Sequence, residues 1–269
     1  MKKFLLIAGM LILTACGTDE EQDVPKDDNG TNDEPVEEAV INVPDDYETI
    51  SAAIENASDG DEIVLAEGTY QEDLNFDGKD IVLTSTDPED TAVVANTVIE
   101  GTGNGPVFLF DSGESSAAKV TGFTITGGNC ENGGAISVAP MTTQTSPTIT
   151  YNVFEGNTAE FGGAIYLQES TSEITNNEFE DNTASSYGGA IYVSSANVLI
   201  ADNYFKNNDA ESFGGALRIE LASPSVRDNV FESNTAYWGG GAVSVGSDSD
   251  PEFSGNQYED NDPANEDYE

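Results

Sequence analysis

The 269 residues contain no histidine, and lysine and arginine together number 8 against 51 aspartates and glutamates. The first absence removes Ser-His-Asp and Cys-His catalysis, the usual zinc sites and a histidine pH switch. The second removes nucleic acid as a partner, because a chain of net charge −43 has too few cations to displace phosphate counterions. Cysteine is limited to Cys16 and Cys130. Long apolar runs are missing as well. Phe4 to Leu13 falls well short of the ~20 residues that span a bilayer. Hydrophobic residues make up 37%, which suffices for one domain, particularly one that stacks polar as well as apolar side chains.

What is present begins with an address. Lys2 and Lys3 precede the short apolar run, and Leu13-Thr14-Ala15-Cys16 follows it. Residues 1–15 read as a signal peptide, and the four-residue ending resembles a bacterial lipobox, which implies lipidation of Cys16. Two or three acyl chains would give stable membrane anchoring. Gly17 permits outer-membrane sorting in a Gram-negative cell, and the extracytoplasmic face of a Gram-positive membrane fits equally well. Residues 16–39 are rich in acids and nearly free of apolar side chains, as expected of an extended, self-repelling tether. With Cys16 acylated, Cys130 has no intramolecular partner, and a buried or turn thiol is expected there.

A repeat dominates the rest. Gly-Gly-Ala recurs at 162, 188 and 214, and again from Gly240, a spacing of 26 residues, with an earlier copy at Gly133. A second mark, Phe-x-x-Asn, falls at Phe154/Asn157, Phe179/Asn182, Phe205/Asn208 and Phe231/Asn234, and a third is the Asn at 152, 177, 203, 229 and 256. Apolar residues alternate in short runs, as in Ile165/Leu167, Ile191/Val193, Leu217/Ile219 and Val243/Val245. Such units cannot bury a face alone, so they must stack. We therefore expect an all-β protein, a right-handed parallel β-helix over residues 40–261 with three short strands per turn. Ladders of Asn177, Asn203, Asn229 and of Asn182, Asn208, Asn234 should satisfy backbone groups at the bends. A short capping α-helix is expected around Tyr47, Ile50, Ile54 and Ala57, N-capped by Asp45 or Asp46. Residues 262–269 are expected to form an acidic tail.

The opening segment, Asp59-Gly60-Asp61 through Lys79-Asp80-Ile81-Val82-Leu83, resembles the N-terminal cap and first coils of pectate-lyase-type β-helix proteins. The paired Phe-x-x-Asn and Gly-Gly-Ala marks resemble those of chlamydial-type polymorphic outer-membrane proteins, which implies surface display and adhesion. No membrane barrel follows the repeats, so Cys16 would take over anchoring.

Lyases of the resembled fold use an Arg or Lys base with acids that hold calcium, and its glycosidases use grouped Asp residues. Arg218 is the cation weighed for the first role, against a solvated outward residue. Arg218 and Arg227 share a coil but lie on different strands. Asp202 and Asp228 are 26 residues apart, hence stacked one strand spacing apart, near the separation of a retaining glycosidase pair. The same pair is the candidate calcium site. A bland explanation competes, because each precedes a ladder Asn where a turn favours Asn or Asp. Phe161, Tyr187, Phe213 and Trp238 form an expected aromatic column, and with outward Tyr166 and Tyr192 they could stack on sugar rings. The leading reading is an envelope-anchored, non-catalytic module that binds carbohydrate or another envelope or host-surface component. The alternative is a polysaccharide lyase or glycoside hydrolase, calcium-assisted or not.

Overall fold

The computed structural model describes residues 38–141, 143–263 and 265–268. The expected signal peptide, Cys16 and almost all of the tether lie outside these residues. From Val40 onward the chain winds into a parallel β-helix whose coils contribute to four sheets, of nine, eight, eight and five strands.

One coil shows how the repeat becomes structure. Glu173–Thr175 lies in sheet A, Glu178–Glu180 in sheet B, Thr183–Tyr187 in sheet D and Ile191–Ser194 in sheet C. The next coil then begins at Leu199. The register places Ile174 opposite Ile200, Phe179 opposite Phe205, Ala184 opposite Ala210 and Ile191 opposite Leu217. Equivalent residues therefore stack in columns, at about one strand spacing of ~4.8 Å. The fourth sheet was not expected. Its strands begin directly after the Asn of Phe-x-x-Asn and take in the following Thr/Asp-Ala, a segment that reads as a loop because only a small alanine is buried there. Ala184, Ala210 and Ala236 form a minor cluster apart from the main core.

The main core is one continuous cluster from Ile41 to Val245. Its most regular part is the fully buried stack of Phe154, Phe179, Phe205 and Phe231, with neighbouring ring centroids 4.7–4.8 Å apart and nearly parallel planes. Beside it run two asparagine ladders. The Asn203 Nδ2 donates to Ile174 O at 2.8 Å and to Asn229 Oδ1 at 3.0 Å, while its own Oδ1 accepts from Asn177 N at 2.9 Å. Asn182, Asn208 and Asn234 repeat this at the next bend. In Gly-Gly-Ala the two glycines serve different needs. Gly188 has φ +66, and a Cβ at Gly189 would collide with the Gly215 carbonyl of the following coil.

Helix α1 (Ile50–Asn56) covers the start of the core with Ile50, Ala53 and Ile54. Its N-cap is Thr49, not Asp45 or Asp46. Asp46 instead accepts Asn42 N at 2.7 Å in the preceding turn, and Glu72 takes the Ile50 and Ser51 amides at 2.8 and 2.9 Å. A second helix, α2 (Thr91–Asn96), interrupts the coil between the sheet A strand Val82–Ser85 and the sheet B strand Thr97–Glu100. At the other end, the segment expected as a tail completes the last coil. Glu266–Tyr268 pairs in parallel with Val243–Val245, and Asp262 bridges to Thr235. Among the described residues no helix is long and apolar enough to cross a membrane.

Candidate functional site

In the later coils each passage from sheet A to sheet B goes through one residue in the left-handed region and then a ladder Asn. The non-glycine residues there are Tyr151, Asn176, Asp202 and Asp228, with φ between 54 and 58. Asn and Asp tolerate this conformation best, so the backbone itself selects polar, short side chains for the column. The residue after each ladder Asn opens sheet B and points outward, giving a second column of Val153, Glu178, Tyr204 and Val230. Between the two columns lies a groove of about 620 Å³. Pro88, Glu89, Thr91, Val94 and Ala95 also line it.

The structure thus brings Asp202 and Asp228 together inside this groove, and it adds a cation. Arg227 Nη1 lies 3.2 Å from Asp228 Oδ2 and 3.8 Å from Asp202 Oδ2. All three side chains remain about half exposed, so the pairs contribute little to stability. The sequence places Arg227 on a different strand from Arg218. The strand separation holds, yet Arg227 is the cation that joins the acids. Among the described residues no group of three or more acids or cysteines converges as a metal cage. A guanidinium stands beside the two carboxylates where calcium was considered.

Glu178 and Tyr204 are the residues that sequence reasoning missed. Burial, with Glu180 nearby, raises the Glu178 carboxyl above its ordinary range. Tyr204 donates its hydroxyl to the Glu232 carboxylate, and that bond pushes the phenol up to about 12. Lys206 pairs with Glu180 at 2.5 Å. Counting one residue past each ladder Asn would have found the second column.

The other candidates sit elsewhere. Tyr166, Tyr192, Arg218 and Ser244 form the outward column of sheet C, on a different face from the groove. Arg218 is not a solvated outward residue. It is 5% exposed, lies 5.4 Å from the ring centroids of both Tyr187 and Phe213, and donates to Ser244 Oγ at 2.7 Å. The turn aromatics fold over the strand and cover it, which a strand-alternation pattern does not reveal. Tyr166 and Tyr192 stack on one another with planes 5° apart, so the two facing sides are spent on each other. Tyr192 also donates to Glu220 at 2.6 Å; burial, first, and this bond raise its phenol. Trp238 does not continue the column of Phe161, Tyr187 and Phe213. Gly239 pairs with Phe213 in its place, and Trp238 stands 66% exposed against Tyr237 beside Asp209 and Glu211. Cys130 is a partly exposed free thiol in sheet D.

Comparison with known proteins agrees with the architecture. Residues 77–213 and 137–265 match the family model described as a right-handed β-helix region. A solved structure described as a mannuronic acid specific polysaccharide family 6 lyase from human gut microbiota is similar at 15% identity and a TM-score of 0.35. That similarity covers 82% of this chain and 59% of the neighbour, so the chain spans less than two thirds of its length. No curated protein matches the sequence. Four stacked parallel sheets and a family match across most of the coils lead to one assignment: the chain belongs to the right-handed β-helix family.

Proposed function

We propose that this protein is a glycan-binding module of the cell envelope, anchored through a lipid at Cys16, and that the groove between sheets A and B is its binding surface. The observation that carries the reading is the composition of that groove. Tyr151, Tyr204, Val153 and Val230 supply apolar and aromatic surface, while Asn176, Glu178, Asp202 and Asp228 supply a row of acceptors and amide donors along the same line. Apolar contact combined with a few placed polar groups is what a small-molecule or sugar site requires. The charge narrows the ligand. Glu89, Glu178, Asp202 and Asp228 line the groove without a lysine, and Arg227 is engaged by two of them. Such a surface repels uronic acids and favours neutral or amino-bearing sugars.

An enzymatic alternative draws on the same carboxylate pair. Asp202 and Asp228 flank one guanidinium beside the partly desolvated Glu178, and two carboxylates bracketing a sugar are the minimum for glycoside hydrolysis.

The test is a panel of cello-oligosaccharides, chito-oligosaccharides and oligouronates, with and without calcium, scored for both retention and new reducing ends. Neutral or amino sugars should be retained without turnover, and Asp202→Asn with Asp228→Asn should weaken retention by about ten-fold. Reducing ends released by the parent chain and lost in those variants would establish the enzyme instead. Failure to retain or cleave any glycan would end both readings of the groove.

A further inference from the structure

We propose that the groove is blind-ended and receives the terminus of a glycan chain, not an internal stretch. This inference rests on the glycan reading of the groove and specifies how the chain lies in it.

The two columns that make the groove continue beyond it in both directions, and the two directions differ. Upstream, the left-handed column runs from Tyr151 to Gly122, whose φ is +86. A Cβ placed at Gly122 would meet Pro88 Cβ at 2.6 Å and Pro88 Cα at 2.7 Å, so Pro88 occupies the space that a side chain of this column takes in later coils. The second column runs from Val153 to Thr124. Thr124 is buried, and its Oγ1 donates to Val94 O of α2 at 3.1 Å. The insertion therefore covers both columns at the same coil.

The covering segment is fixed to the fold. Asp90 caps α2 by accepting Ala92 N at 2.9 Å, Thr97 Oγ1 donates to Val93 O at 2.8 Å, and Val94 is buried. Downstream the path is free. The left-handed column continues as Gly255 and the second as Gln257, both exposed, and Asp228 leans over the space left by the missing Gly255 side chain.

A polymer threaded through the groove would have to occupy the volume of Pro88 and Val94. A chain entering from the Asp228 side meets no obstruction until its last unit reaches Tyr151 and Glu89 at the wall. Tyr151 and Asp228 are three coil spacings apart, about 14 Å at ~4.8 Å per strand, which accommodates a short run of sugar units. Each unit passes one side chain of the left-handed column.

The experiment is calorimetric titration of the full chain with a size ladder of cello- and chito-oligosaccharides and with the parent polymers. End recognition predicts one protein bound per chain at every length, with an affinity per mole of chains that stops changing once the chain fills the groove. Replacing residues 87–95 by a short turn should open the wall and make the number of proteins per polymer rise with length. Gln257→Trp should obstruct the exit, weakening the polymer by about ten-fold while sparing the shortest oligosaccharides. Gln257 is exposed, so this variant keeps the test decisive should the wall deletion fail to fold. Several wild-type proteins bound along each polymer would overturn the inference while leaving the glycan reading intact, as would equal weakening of all lengths by Gln257→Trp. If no glycan binds at all, the groove reading falls and this inference falls with it.

Discussion

Replacing Asn203 by Ala tests whether the asparagine ladder holds the coils together. Asn203 is 2% exposed and its carboxamide makes four hydrogen bonds, to Ile174 O, Asn229 Oδ1, Asn177 N and Asn177 Nδ2. Two of the four partners retain another bond, since Asn177 Nδ2 still reaches Ile149 O and Asn229 Oδ1 still accepts Asn203 N. The Asn177 amide loses its acceptor inside the bend, where an orphaned donor costs about 1–3 kcal/mol, and each remaining bond contributes about 1 kcal/mol. The expected loss is about 5 kcal/mol, a large share of a domain's ordinary stability. Asn256 is the control. It ends the same ladder and makes equivalent bonds to Val226 O and Asn229, but it is only partly buried, so water can replace them and Asn256→Ala should cost about 1 kcal/mol. Urea unfolding followed by far-ultraviolet circular dichroism measures both, as midpoint shifts at constant m. The reasoning is refuted if Asn203→Ala lies within about 1 kcal/mol of the parent, or costs no more than Asn256→Ala.

Gly215→Ala should prevent stable folding, because its Cβ would meet the backbone of Gly241 and Thr235, whereas Gly105→Ala, with nothing nearby, should leave the melting temperature unchanged. Arg218→Ala should lower the melting temperature, since it removes a desolvated cation between two aromatic rings; Arg218→Lys, a point charge without a stacking plane, should restore only part of the loss. Asp61 accepts the Ser58 and Ala39 amides, which hold its carboxyl below the ordinary range. Its contribution is therefore present above the unfolded-state value near 4 and is lost as pH falls through the lower folded value. Asp61→Asn should be less stable than the parent near neutral pH, and the two denaturation midpoints should converge in strong acid.

The repeat made most of the coil legible before any coordinates, because a residue recurring at a fixed interval must stack on its copy once the units pair in parallel. Phe179 and Phe205, Asn177 and Asn203, and Ile191 and Leu217 meet at the interval of 26. Sheet D escaped notice because it buries only one alanine per coil, too weak a pattern to distinguish from a loop. Trp238 was misplaced by a single residue, and one residue is enough in a structure where each position has its own column. The groove was half legible: the spacing of Asp202 and Asp228 placed them one above the other, but their surroundings came from elsewhere.

What the sequence alone determined was everything governed by periodicity and local conformation: the stacked parallel strands, the two asparagine ladders, the apolar columns and the preference for Asn or Asp at the left-handed corner. What only the tertiary structure decided was which outward side chains share a space. Arg227 reaches Asp202 on the neighbouring coil, the aromatic turns cover Arg218, and α2 lines the groove, because each of these contacts joins residues on different strands or outside the repeat. Neighbours of that kind depend on how one segment packs over another, and no interval along the chain encodes them.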